Sequence, residues 1–86
     1  ASPDDAQAVH AAIRTYLLKI DEAFGKTSRI LYGGSTTPGV VHGFLDVEGI
    51  DGFLVGGASL NYHSFSEIVE SASRWLRDKG EVYGSA

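Results

Sequence analysis

Apolar residues recur near the start of the chain at Val9, Ile13, Tyr16, Leu17 and Ile20, a spacing that lines one side of a helix. Ser2 can cap its free amides, Pro3 suits its first position, and Asp5 stands where a capping-box acid belongs. The pattern predicts that this helix stops near Phe24, with Gly25 as its C-terminal punctuation. Arg29-Ile30-Leu31-Tyr32 follows, bounded by Gly33-Gly34. Its consecutive apolar residues predict a strand covered on both faces, as in parallel sheets. Thr37-Pro38 restarts a short helix with Val40, Val41, Phe44 and Leu45 on its apolar side, weakened by Gly39 and Gly43. Gly49 to Gly52 reads as a turn, Asp51-Gly52 being its clearest signal. Phe53-Leu54-Val55 is a second buried strand, again ended by a glycine pair, Gly56-Gly57. A polar stretch from Ser59 to Ser64 leads to a long helix striped by Phe65, Ile68, Val69, Ala72 and Leu76, with Trp75 beside the stripe. Lys79-Gly80 ends it, and residues 81–86 read as a polar tail expected to fray.

The predicted order is helix, strand, helix, strand, helix, an α/β arrangement with two parallel strands. Ile30-Leu31-Tyr32-Gly33-Gly34-Ser35 repeats in pattern as Phe53-Leu54-Val55-Gly56-Gly57-Ala58, one strand–helix unit later. Two parallel strands leave two open edges, and three helices cannot cover both faces of so small a sheet. The expectation is therefore a portion of a barrel or open sheet, with residues 1–86 forming part of one domain.

Composition narrows the chemistry. Among 86 residues, 7 Lys and Arg face 11 Asp and Glu, and a net charge of −4 argues against gripping a nucleic-acid backbone. The absence of cysteine excludes disulfides and thiolate metal sites. No apolar run approaches the roughly 20 residues of a membrane helix, so no membrane partner is expected. Ala1-Ser2-Pro3-Asp4-Asp5 lacks the basic start of a signal peptide.

The two glycine pairs carry the chemical signal. A strand ending in Gly-Gly can turn sharply and present bare amides to an anion. In eight-stranded α/β barrels a phosphate site is often built from the loops after the last two strands. Tight turns or close packing would need the same glycines, so spacing alone leaves both readings open.

Longer stretches around these pairs add specificity. Arg29-Ile30-Leu31 running into Tyr32-Gly33-Gly34-Ser35, and Asp51-Gly52-Phe53-Leu54-Val55-Gly56-Gly57-Ala58-Ser59-Leu60, resemble the triosephosphate isomerase family. Ala1-Ser2-Pro3 with Gln7, Val9, His10 and Ile13-Arg14 is similar to the helix after that family's mobile sixth loop. The resemblance runs from residue 1 to about residue 70. It implies the C-terminal part of a (β/α)8 barrel, with strands seven and eight and the last three helices. By resemblance Ser35, Gly56 and Gly57 would hold the substrate phosphate. Tyr32 would bond the closed sixth loop around Ala1, with Gly33 and Gly34 changing conformation on closure. The family interconverts dihydroxyacetone phosphate and glyceraldehyde 3-phosphate in glycolysis and gluconeogenesis, without cofactor or metal, as a cytoplasmic homodimer. Its catalytic glutamate, histidine, lysine and asparagine would all precede Ala1. This chain is then expected to be inactive alone and to need the N-terminal part of the barrel as partner. Thr36, where the family commonly has valine, Gly39-Val40-Val41-His42, and the stretch from Ser73 onward depart from the family pattern. The competing readings are another phosphate-handling barrel enzyme and a non-catalytic phosphate-binding module.

The remaining polar residues have plainer readings. His10, His42 and His63 lack paired ligand spacing and read as solvated or capping residues. Asp46, Glu48 and Asp51 read as a solvated loop, and Glu67 and Glu70 as a polar helix face. Asp4 and Asp5, then Arg74 and Arg77, complement the dipoles of the first and last helices. Ser35, Ser59 and Ser64 lack the histidine and acid of a nucleophilic triad. Trp75 is expected to pack on the barrel exterior.

Overall fold

The computed structural model describes residues 2–79. Ala1, Gly80 and the 81–86 tail, on which expectations about loop closure, the helix end and fraying fell, lie outside the described residues. In chain order the elements are α1 (Pro3–Ile20), α2 (Glu22–Thr27), β1 (Leu31–Tyr32), α3 (Pro38–Phe44), β2 (Gly52–Phe53), a 3-10 turn (Gly57–Leu60) and α4 (Tyr62–Asp78).

The start of α1 follows its sequence signals. The Ser2 hydroxyl accepts from Asp5 N at 3.1 Å, and Ser2 N donates back to the Asp5 carboxylate, a complete capping box. The helix does not run on to Phe24. Asp21 takes an extended conformation and its carboxylate caps Phe24 N at 3.0 Å, starting a second short helix. Gly25 therefore lies inside α2 and terminates nothing. Its value is steric: a Cβ there would sit 2.6 Å from the Leu18 backbone nitrogen, so only glycine lets α2 lie against α1.

A larger correction concerns which side of α1 is covered. Val9, Ile13, Tyr16 and Ile20 are 57%, 39%, 64% and 64% exposed, whereas Ala6 and His10 are buried. The covered side meets backbone carbonyls, so polar residues serve it better than apolar ones. His10 Nδ1 lies 3.3 Å from Gly49 O. Arg14 Nη1 donates to Gly25 O at 2.7 Å and to Ser28 O at 2.5 Å, satisfying the end of α2.

β1 and β2 form a parallel pair, with Leu31 opposite Gly52 and Tyr32 opposite Phe53. In the sequence repeat Phe53 corresponds to Ile30, so the ladder is staggered by two positions relative to the repeat. Both strands are shorter and begin later or earlier than their apolar runs: Leu54 and Val55 already belong to the second loop. Leu31 is half exposed, so β1 is not covered on both faces by the described residues. Asp51-Gly52 enters β2 and makes no turn. The turn lies just before it, where Ile50 N bonds Val47 O and Gly49 takes φ +97°, a conformation that favours glycine.

Thr37 caps α3 through Val40 N, and α3 packs on α4. Val41 is fully buried there, with Phe44 and Ile68 nearly so; Phe65 and Val69, expected in the stripe, are exposed. Trp75 Nε1 donates to Asp46 Oδ1 at 2.6 Å, and Lys79 approaches both partners, so Asp46 belongs to a clasp between helices. The described core is thin: Ala6, Ile30, Val41, Phe44 and Ile68 are its buried apolar members. A radius of gyration of 14.0 Å, against about 12 Å for a compact domain of this length, marks an open arrangement.

Asp51 joins the two halves. Its Oδ2 accepts from Arg14 Nη2 and from Ile30 N, each at 2.8 Å. Asp51→Ala is expected to cost about 1.5 kcal/mol, low in the range for charge-assisted hydrogen bonds because the pair is partly solvated. A double-mutant cycle with Arg14→Met in urea unfolding should give a coupling of at least about 0.5 kcal/mol; additive losses would show that the pair does not hold the halves together.

Candidate functional site

Because the strands run parallel, the segments that leave Tyr32 and Phe53 emerge at the same end of the ladder. Gly33 through Thr37 face Leu54 and Gly56 through Ala58 there across a cavity of about 340 Å³. The cavity brings together Ser35, Gly56 and Gly57, the residues expected to hold a phosphate, with Gly33 and Gly34. All five are exposed. Among the described residues no charged side chain lines the cavity, so an anion would meet backbone amides and hydroxyls there.

Tyr32 ends β1 and is half-buried. Its ring packs against Phe44 at 4.8 Å and edge-on to Phe53 at 6.4 Å between centroids. The hydroxyl end of the ring lies over Gly34, where an added Cβ would come within 2.7 Å of Tyr32 Cζ. This close approach is what glycine at position 34 permits.

Two hydroxyls that the sequence analysis did not assign to the site organise the second loop. Thr36 is buried beneath the cavity; its Oγ1 donates to Leu54 O at 3.5 Å and accepts from Gly56 N at 3.4 Å. Ser59 Oγ donates to Gly56 O at 2.6 Å, and Ser59 N donates to the same oxygen at 2.9 Å. Their signal in the sequence was small hydroxyl residues beside each glycine pair. The element after Gly56 is a four-residue 3-10 turn, too short to add an appreciable helix dipole behind this loop.

The other polar candidates lie apart. His10 is neither solvated nor a cap, being buried against Gly49 O with its ring 6.5 Å from Tyr32. His42 is exposed on α3, and His63 pairs with Glu67 on the surface of α4 at 2.6 Å. Among the described residues no three His, Asp or Glu side chains converge as metal ligands, and no helix is long and apolar enough to cross a membrane.

The contrast between glycines is testable. Gly34→Ala is expected to cost about 1–3 kcal/mol, because the Tyr32 ring is wedged between Phe44 and Phe53. Gly57→Ala, whose Cβ would meet nothing within 4 Å, should stay within about 0.5 kcal/mol. Urea unfolding of both variants checks the difference.

Comparison with known proteins bears on what this loop pair belongs to. A family model described as triosephosphate isomerase matches residues 1–72. The chain is 51% identical over 72 residues to the triosephosphate isomerase of Blochmanniella pennsylvanica, covering 84% of this chain and 28% of that protein. It is 47% identical over 73 residues to the enzyme of Thermus thermophilus, covering 84% of this chain and 29% of the relative. The crystal structure of triosephosphate isomerase from Bartonella henselae matches with a TM-score of 0.78 at 34% identity, over 83% of this chain and 30% of that one. The chain thus spans a little over a quarter of the length of these relatives. The family match, the identities and the shared backbone all fall on the stretch that contains both glycine loops, and the chain belongs to the triosephosphate isomerase family.

Proposed function

We propose that this chain is the C-terminal part of a (β/α)8 triosephosphate isomerase barrel and supplies the grip on the substrate phosphate. The observation that carries the reading is the shared cavity at one end of the parallel ladder, lined from both sides by glycine-rich loops. The amides of Gly56 and Gly57 and the amide and hydroxyl of Ser35 would donate to the phosphate oxygens. With a net charge of −4 and no cationic side chain at the cavity among the described residues, dipoles aimed at the anion replace Coulombic attraction. Preorganised amides need little reorganisation, so phosphate binding can position the distant reacting carbons.

The reaction is proton transfer next to a carbonyl, between dihydroxyacetone phosphate and glyceraldehyde 3-phosphate, through an enediolate and without cofactor or metal. The general base and the electrophilic groups would come from the N-terminal part of the barrel. Tyr32 would latch the mobile loop near Ala1 through its hydroxyl, with Gly33 and Gly34 moving as it closes. The complete enzyme would work as a cytoplasmic homodimer. The open radius of gyration and the exposed apolar positions of α1 support a chain that packs against further structure.

The 86-residue chain alone is expected to show no isomerase activity. Mixed or joined with the N-terminal three-quarters of a relative's barrel, it should restore turnover. In the active form Ser35→Ala should lower kcat/KM about tenfold, equivalent to one charge-assisted hydrogen bond. Gly56→Leu should lower it about a hundredfold by occupying the approach to the amides. Parental kinetics in both variants would remove the phosphate grip from these loops.

A further inference from the structure

Three successive peptide units of the second glycine loop are each held by a hydroxyl. Leu54 O belongs to the first and Gly56 N to the second, and Thr36 Oγ1 reaches both, at 3.5 and 3.4 Å. Gly56 O belongs to the third and accepts from Ser59 Oγ at 2.6 Å. Because a peptide unit is planar, holding one of its polar atoms sets the direction of the other. Ser59 draws the Gly56 carbonyl toward itself and so turns the Gly57 N–H the opposite way.

Ser59 lies on the same loop as the peptide it holds. Thr36 instead comes from the opposite loop, directly after Ser35, and is only 6% exposed. One hydroxyl can serve both contacts, because it carries one donor and two acceptor lone pairs. We infer that Thr36 is a positioning residue for phosphate recognition, its hydroxyl setting the direction of the Gly56 amide and the spacing between Ser35 and the Gly56-Gly57 turn.

Both Thr36 contacts are at the long end of hydrogen-bond geometry, so the hydroxyl guides the Gly56 N–H without sequestering it. An arriving phosphate oxygen can share that donor. Without the hydroxyl, the amide has no partner across the cavity, and its orientation must be found during binding. The inference rests on the phosphate reading above and adds no new contact to the ligand.

The test uses the active form, joined with the N-terminal part of the barrel, carrying Thr36→Val, which keeps the side-chain shape, or Thr36→Ser, which keeps the hydroxyl. Inorganic phosphate serves as a competitive inhibitor, with KM, kcat and amide hydrogen exchange at Gly56 measured alongside. Thr36→Val is expected to weaken phosphate inhibition and raise KM about five- to tenfold, the effect of one modest hydrogen bond, with little change in kcat. Exchange at Gly56 should accelerate, and Thr36→Ser should restore all three readouts. If Thr36→Val binds phosphate as the parent does, the Thr36 assignment is wrong while the phosphate reading stands. Failure of Thr36→Ser to restore binding would show that the hydroxyl alone does not set the Gly56 amide and overturn its assigned role. A parent protein insensitive to phosphate would remove the phosphate reading itself, and the Thr36 role with it.

Discussion

Asp51 Oδ2 accepts from the Arg14 guanidinium and from Ile30 N at 2.8 Å each, while Asp51 N donates to Ile30 O at 2.9 Å. Strands of two residues have too few ladder bonds to fix their own register. The three bonds at Asp51 do it from outside, because they lock the start of β2 beside the start of β1. Arg14 extends the lock to α1 and, through Gly25 O and Ser28 O, to the end of α2. Once the starts are fixed, both strands must release their chains at the same end, and the glycine loops meet there. The cavity is thus a consequence of a carboxylate at the opposite end of the ladder.

Elements marked by local chemistry were legible in the sequence. The capping box of Ser2 and Asp5, the Thr37-Pro38 start of α3 and the two strand-ending glycine pairs all depend on near neighbours in the chain. The break at Asp21 had a signal of the same kind, an Asx cap followed by Glu22, but Gly25 four residues on offered the plainer stop. What could not be read was the partner of each face. Apolar periodicity marks Val9, Ile13, Tyr16 and Ile20 as needing cover, but not what supplies it. The side of α1 that is covered carries His10 and Arg14, because its neighbours are backbone carbonyls. Asp51 shows the same limit: beside Gly52 it has the composition of a turn, and only the position of Arg14 makes it a strand anchor.

The site was legible in its backbone and illegible in its scaffolding. Gly33, Gly34, Ser35, Gly56 and Gly57 line one cavity, and longer motifs around them mark the family. Thr36 was visible as a departure from that family's usual residue, with no hint that it would reach across to the other loop. Such a contact depends on the two-residue stagger of the ladder, which the repeat alone does not give.

That stagger also explains why the loops differ in construction. The first loop leaves Tyr32 and is propped by an aromatic ring wedged between Phe44 and Phe53, close enough to Gly34 that no side chain fits. The second leaves Phe53, has open space around Gly56 and Gly57, and is held by hydroxyls. A ring wedge fixes position, whereas hydroxyl contacts fix the direction of peptide dipoles. A loop that donates amides to an anion needs the second kind of restraint, and a loop that presents a side-chain hydroxyl needs the first. The chemistry of each support thus matches the role proposed for its loop, and both supports are built from residues within this chain.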